Sequence, residues 1–80
     1  MIGEEKVNIG NKYIHANPIE EIKGKPAWAI VNTKSDNEIA CVCWYPSWER
    51  YVMVTDTPAV FDVGCMESII KFISLVQSDK

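Results

Sequence analysis

Three short β-forming runs, separated by turn residues, dominate the middle of this 80-residue chain. They are AWAIVNT at 27–33, EIACVCWY at 38–45 and WERYVMVT at 48–55, with KSDN and PS between them. Runs of this length, rich in β-branched and aromatic residues and bounded by turn formers, are typical of antiparallel strands joined by short connections. The pattern therefore predicts a β-meander over residues 27–55.

One amphipathic segment follows the meander. Asp62 is suited to cap a helix from Val63 to Gln77, in which Glu67, Lys71 and Ser74 form a narrow polar stripe. The rest of the helix surface is apolar, so the helix must pack against another element. Because a chain of this size makes one domain, that element is the sheet. The sequence predicts a single small α+β domain over 1–80, a three- to four-stranded antiparallel β-sheet with one C-terminal α-helix (62–77) packed on one face.

Residues 1–25 are the least determined part of the chain. Asn17 and Pro18, followed by Glu20, resemble a helix start with proline in the first turn. Gly24 and Pro26 would end such a helix within two turns. An extended strand fits the same segment.

The two faces of the predicted sheet are both apolar. Strand side chains alternate between faces, and connections with an even number of residues keep opposed residues on one face. With four residues at 34–37 and two at 46–47, one face carries Ala27, Ala29, Val31, Ala40, Val42, Trp44, Tyr51 and Met53. The other face carries Trp28, Ile30, Ile39, Cys41, Cys43, Tyr45, Trp48, Arg50, Val52 and Val54. The three alanines favour the first face for the helix, which leaves the second face for the N-terminal segment or a binding partner.

Composition narrows the classes of function. The net charge is −3, with eight basic residues scattered among eleven acidic ones, whereas nucleic-acid-binding proteins carry a basic stripe. No apolar run approaches the roughly 18–20 residues of a membrane span, and the first residues lack a signal-peptide pattern. We therefore expect a cytoplasmic protein without a membrane partner, with a nucleic-acid partner disfavoured and with three free cysteine thiols.

The cysteines and the single histidine allow two kinds of reactive site. Cys41, Cys43, Cys65 and His15 would complete a Cys₃His zinc set, although structural zinc sites more often place their cysteines in turns. Cys65 at the helix start, with His15 as base and Asp62 as orienting group, would form a nucleophilic triad. The simpler interpretation makes all three cysteines small buried apolar residues, and no cofactor is expected.

Aromatic residues and arginine are enriched where proteins bind one another. Tyr45 and Trp48 flank a turn, where burial from both sides is difficult, and Arg50 follows directly. These three residues, together with Trp28 on the same predicted face, are the candidate partner-binding residues.

An ordered set of residues resembles a pattern in small uncharacterised proteins encoded by bacteriophages and prophages. It covers about residues 26–73 and comprises Trp28, Asn32, Trp44, Tyr45, Trp48, Tyr51, Phe61, Gly64, Cys65, Ile69 and Phe72. The chain departs from the pattern at Glu49-Arg50, where such proteins have Arg-Gln before the hairpin tyrosine. The resemblance implies an accessory protein of a phage or mobile element, with no activity attached.

Together these observations predict a non-enzymatic factor that binds another protein, or a second copy of itself, through an aromatic sheet face. The alternative is a small-ligand or metal-binding module that uses the face of Cys41 and Cys43. A cysteine-dependent enzyme acting through Cys65 is a third possibility.

Overall fold

The computed structural model describes residues 6–55 and 58–78 and confirms the predicted fold class. Four strands form one antiparallel sheet in the order β1-β2-β3-β4, and a single helix follows. The elements are β1 (Ile14–Ile22), β2 (Lys25–Asn32), β3 (Glu38–Tyr45), β4 (Arg50–Val54) and α1 (Val63–Ser78). Residues 1–5, within the predicted N-terminal segment, lie outside the described residues. In the described part of the chain, no helix has the length and apolar character needed to cross a membrane.

The first strand occupies the segment that the sequence left open, so the helix start predicted at Asn17 is wrong and the extended alternative is right. A two-residue turn at Lys23 and Gly24 joins β1 to β2, and both residues have positive φ, 57° and 77°. Two successive residues of this kind match the twist of paired strands. Pro18 is tolerated because alternation turns its missing N–H toward the outer side of β1, away from β2.

A bulge between β2 and β3 overturns the predicted division of the sheet faces. Asn32 donates its N–H to the Asn37 carbonyl across the turn, and Val31 lies opposite Glu38. The register then shifts, so that Ile30 lies opposite Ala40 and Ile39 is the extra residue. One added residue exchanges the two faces of a strand relative to its neighbour.

The faces of β2 are therefore opposite to the prediction. Trp28 and Ile30 share a face with Val42, and Ile39 also packs against the core on that side. Ala27, Ala29 and Val31 join Cys41 and Cys43 on the other face. The predicted faces are confirmed for β4 and for β3 from Ala40 onward, because their connection has four residues rather than two and the parity is unchanged. Ile39, predicted on the second face, is the exception, since the bulge directs it to the core.

The core lies between α1 and the face of Trp28, Ile30 and Val42. Its buried members are Ile14, Ala16, Ile30, Val42, Cys65, Ile69 and Phe72. The helix crosses the sheet diagonally, since Ser68 near its start meets the Asn11 amide and Gln77 near its end meets β4. The helix covers this face alone, and we call the opposite side the helix-free face.

Both edges of the sheet are partly closed by the chain itself. Val7 pairs with Ala16 on the outer side of β1 through two backbone hydrogen bonds of 2.7 and 3.1 Å. At the other edge, the outward N–H of Tyr51 on β4 donates to the Gln77 side-chain oxygen at 2.7 Å. Closing such edges limits unwanted pairing with other strands.

Candidate binding surface

The most exposed aromatic pair of the protein is held by the turn between β3 and β4. The Tyr45 and Trp48 rings meet edge to face, with centroids 5.0 Å apart, and the two residues are 41% and 63% exposed. The Tyr45 carbonyl accepts hydrogen bonds from the N–H groups of Trp48 and Glu49 at 3.1 and 2.9 Å, which fixes the turn. Two amphipathic rings are thus presented to solvent in a defined orientation.

Arg50 lies beside this ring pair at the start of β4. Its Nε donates to the Trp48 carbonyl at 3.3 Å, and the side chain is exposed. Among the described residues the close cation–π contacts belong to Lys12 and Lys25, and none involves Arg50. No further hydrogen bond joins its guanidinium to the described residues, so its outer N–H groups can donate to an acidic or carbonyl group of a partner.

Aliphatic residues of β4 extend the ring pair into a continuous apolar surface. Tyr45, Trp48, Val52, Met53 and Val54 line a shallow depression of about 180 Å³. Val54 is 46% exposed and Val52 is partly exposed. We define the turn-side surface as Tyr45, Trp48, Arg50, Val52 and Val54.

Trp28, the fourth predicted binding residue, is not part of the turn-side surface. Its ring lies on the helix side, 5.3 Å from the Phe72 ring in an edge-to-face contact and 6.1 Å from the Tyr51 ring. The bulge at Ile39 accounts for the difference, because it turns Trp28 toward the core. The structure brings together three of the four predicted residues.

Cys41 and Cys43 share the helix-free face, as predicted, and both are free thiols of intermediate exposure. Burial, reinforced by the neighbouring Cys43, raises the pKa of Cys41 to about 11. A thiol with a raised pKa is a weaker nucleophile and a weaker metal ligand at neutral pH, because both roles need the thiolate.

The proposed zinc set is divided by the sheet. Cys65 is buried in the core on the helix side, whereas His15 lies opposite Val31 on the helix-free face. Over residues 6–55 and 58–78, no group of three or more His, Cys, Asp or Glu side chains could hold a metal ion together.

The proposed triad is divided in the same way. Asp62 caps α1, because its carboxylate accepts a hydrogen bond from the backbone N–H of Cys65 at 2.8 Å. Burial raises the pKa of the Cys65 thiol. The His15 ring lies across the sheet, with Nδ1 2.9 Å from Thr33 Oγ1, and its buried Nε2 has no hydrogen-bond partner among the described residues.

Sequence reasoning missed a groove on the helix side, at the end of α1. It has a volume of about 360 Å³ and is lined by Lys25, Pro26, Trp28, Trp44, Tyr51, Leu75, Val76 and Gln77. We call it the aromatic groove. No local pattern could have indicated it, because it forms where the helix crosses strands that are distant in sequence.

Comparison of the chain with protein-family models, with curated proteins and with solved structures finds no significant match.

Proposed function

We propose that the protein is a non-enzymatic binding factor that engages a protein partner through the turn-side surface. The observation that carries this proposal is the exposed Tyr45–Trp48 ring pair, continuous with Val52 and Val54. Rigid aromatic rings with an adjacent arginine are the side chains that contribute most at protein interfaces. An exposed apolar surface of this kind gains free energy when a partner removes it from water.

A second copy of the chain is the first partner to test. Light scattering over a concentration series distinguishes the 9.1 kDa chain from a species of twice that mass. Trp48→Ser removes the more exposed ring of the pair. Leu75→Ser is the matched control, because Leu75 is 69% exposed but lies on α1. Self-association that is weakened by Trp48→Ser and unchanged by Leu75→Ser supports the proposal.

If the protein is monomeric at every concentration, the proposal requires a foreign partner. Affinity capture from the host then compares three baits: wild type, Trp48→Ser and Leu75→Ser. A partner retained by wild type and Leu75→Ser, but lost by Trp48→Ser, supports the turn-side surface. Equal recovery by all three baits contradicts it.

A cytoplasmic setting and an origin in a phage or mobile element belong to the same proposal. They follow from the composition and from the resemblance of the aromatic hairpin. A gene located among phage genes would support this origin. A gene located in a stable chromosomal operon of unrelated enzymes would contradict it.

The second candidate is a thiol-based ligand or metal module. Cys41 and Cys43 favour it because they share a face and interact with each other. The raised pKa of Cys41 disfavours the thiolate that a metal ligand needs, so this candidate ranks after the protein-binding proposal. Purified protein that retains stoichiometric zinc, and loses it in Cys43→Ser, would reverse this order.

A further inference from the structure

Three aromatic rings from three strands form one wall of the aromatic groove: Trp28 on β2, Trp44 on β3 and Tyr51 on β4. Tyr51 lies between the other two, with its ring centroid 6.1 Å from that of Trp28 and 5.6 Å from that of Trp44. The Tyr51 hydroxyl donates to the Pro26 carbonyl at 2.9 Å, which holds the middle ring across β3. The wall is therefore fixed before any ligand arrives.

A cation already lies against this wall. The Lys25 ammonium is 4.8 Å from the centroid of the Trp44 ring, within the range of a cation–π contact. Lys25 is exposed, so packing does not force its ammonium into this contact with the ring. The Trp44 face thus has the character of a cation-binding surface.

The surroundings of the groove also favour positive charge. Leu75, Val76 and Gln77 belong to the last turn of α1, which contains no basic residue, so the negative end of the helix is not offset by its own side chains. Lys25 is the opposing charge in the groove.

We infer that the aromatic groove binds a small organic cation that carries a methylated ammonium group. Aromatic ring faces are the protein surfaces that recognise such groups. The volume of about 360 Å³ lies at the lower end of small-ligand sites, which span roughly 300–1,000 Å³. The groove lies on the helix side, so this inference is independent of the turn-side surface.

Lys25 acts as an internal competitor for the same ring. A ligand must displace its ammonium from Trp44 before it can occupy that face. Removing the charge while keeping the aliphatic stem, as in Lys25→Met, is expected to tighten binding about two- to fivefold, the value of one exposed cation–π contact.

Choline and its neutral isostere 3,3-dimethylbutan-1-ol are the probes. Titration is followed through the indole N–H resonances of the three tryptophans in two-dimensional NMR spectra. We expect choline to shift the Trp44 resonance saturably, and the isostere to bind at least about fivefold more weakly because it lacks the charge. Trp44→Leu is expected to abolish the choline response, which is read at the Trp28 indole of the same groove because this variant lacks the Trp44 resonance. Trp48→Leu, on the turn, serves as the matched control.

Three outcomes would overturn the inference. The first is equal binding of choline and the isostere, which would indicate a merely apolar groove. The second is the absence of any saturable choline shift at Trp44 in both wild type and Lys25→Met. The third is equal loss of binding in Trp44→Leu and Trp48→Leu. Lys25→Met keeps the test decisive if Trp44→Leu does not fold, because Lys25 is exposed.

Discussion

The phenol of Tyr51 on β4 reaches across β3 and donates a hydrogen bond to the Pro26 carbonyl on β2, at 2.9 Å. This bond joins two strands that are not neighbours in the sheet. It also positions the central ring of the aromatic groove.

Replacing Tyr51 with phenylalanine tests this bond. We expect Tyr51→Phe to lower the free energy of unfolding by about 0.5–1.5 kcal/mol, the usual net contribution of one hydrogen bond. Urea denaturation measures the change. Tyr45→Phe is the control, because the Tyr45 hydroxyl has no hydrogen bond to the described residues, and an equal loss in both variants would contradict the prediction.

We expect substitutions of Trp28 and Trp48 to lower the free energy of unfolding by different amounts, because only Trp28 packs against the core. Trp28 packs against Phe72, so we expect Trp28→Ala to cost about 3 kcal/mol, the lower end for a large aromatic residue because Trp28 is only half-buried. Trp48 is 63% exposed, and Trp48→Ala should change stability by less than about 0.5 kcal/mol. Similar costs for the two variants in urea denaturation would mean that the bulge at Ile39 does not set the faces as described.

The cap of α1 predicts a pH dependence on the acidic side. The hydrogen bond from the Cys65 N–H lowers the pKa of Asp62 below its ordinary 3.8. A lowered pKa in the folded state contributes stability above pH 3.8, and this stability is lost as the pH falls below that value.

Two substitutions at Asp62 separate charge from capping. Asp62→Ala should lower Tm by about 4–8 °C at pH 7, because alanine cannot cap a helix. Asp62→Asn should retain most of the cap at pH 7 and lose the acidic pH dependence. Thermal unfolding by circular dichroism at pH 3 and pH 7 checks both results, and an unchanged Asp62→Ala would show that the cap is unimportant.

Cys41 predicts a pH dependence on the alkaline side. Its pKa is raised from 9.0 to about 11 in the folded protein. The stability linked to this shift is complete below pH 9 and is lost as the pH rises from 9 to 11, because the unfolded thiol ionises first. The difference in unfolding free energy between wild type and Cys41→Ser should therefore change over this window, whereas a constant difference would contradict the raised pKa.

Local patterns were enough to predict the strands that end in strong turns. β3 coincides with its predicted bounds because apolar alternation and turn residues agree at both of its ends. The helix begins at the predicted Val63 because the Asp62 cap is a short-range signal. β1 was ambiguous because Asn17 and Pro18 also resemble a helix start, and because the turn after the strand depends on Lys23, whose positive φ composition does not reveal.

The surface assignment depended on one residue that sequence could not place. Ile39 looks like any other β-forming residue, yet as the bulge it decides which side of β2 faces the helix. Tyr45, Trp48 and Arg50 were identified correctly as neighbours because they belong to one turn, whose geometry is local. Trp28 was misplaced because its face depends on pairing between strands.

The bridge between Val7 and Ala16 has a practical consequence for anyone who shortens the protein. A truncation that removes Val7 would take away the two backbone hydrogen bonds that Val7 makes to Ala16 on the outer edge of β1. That edge would then be more accessible to a strand from another molecule, and lateral edge-to-edge growth into fibrils is the expected consequence.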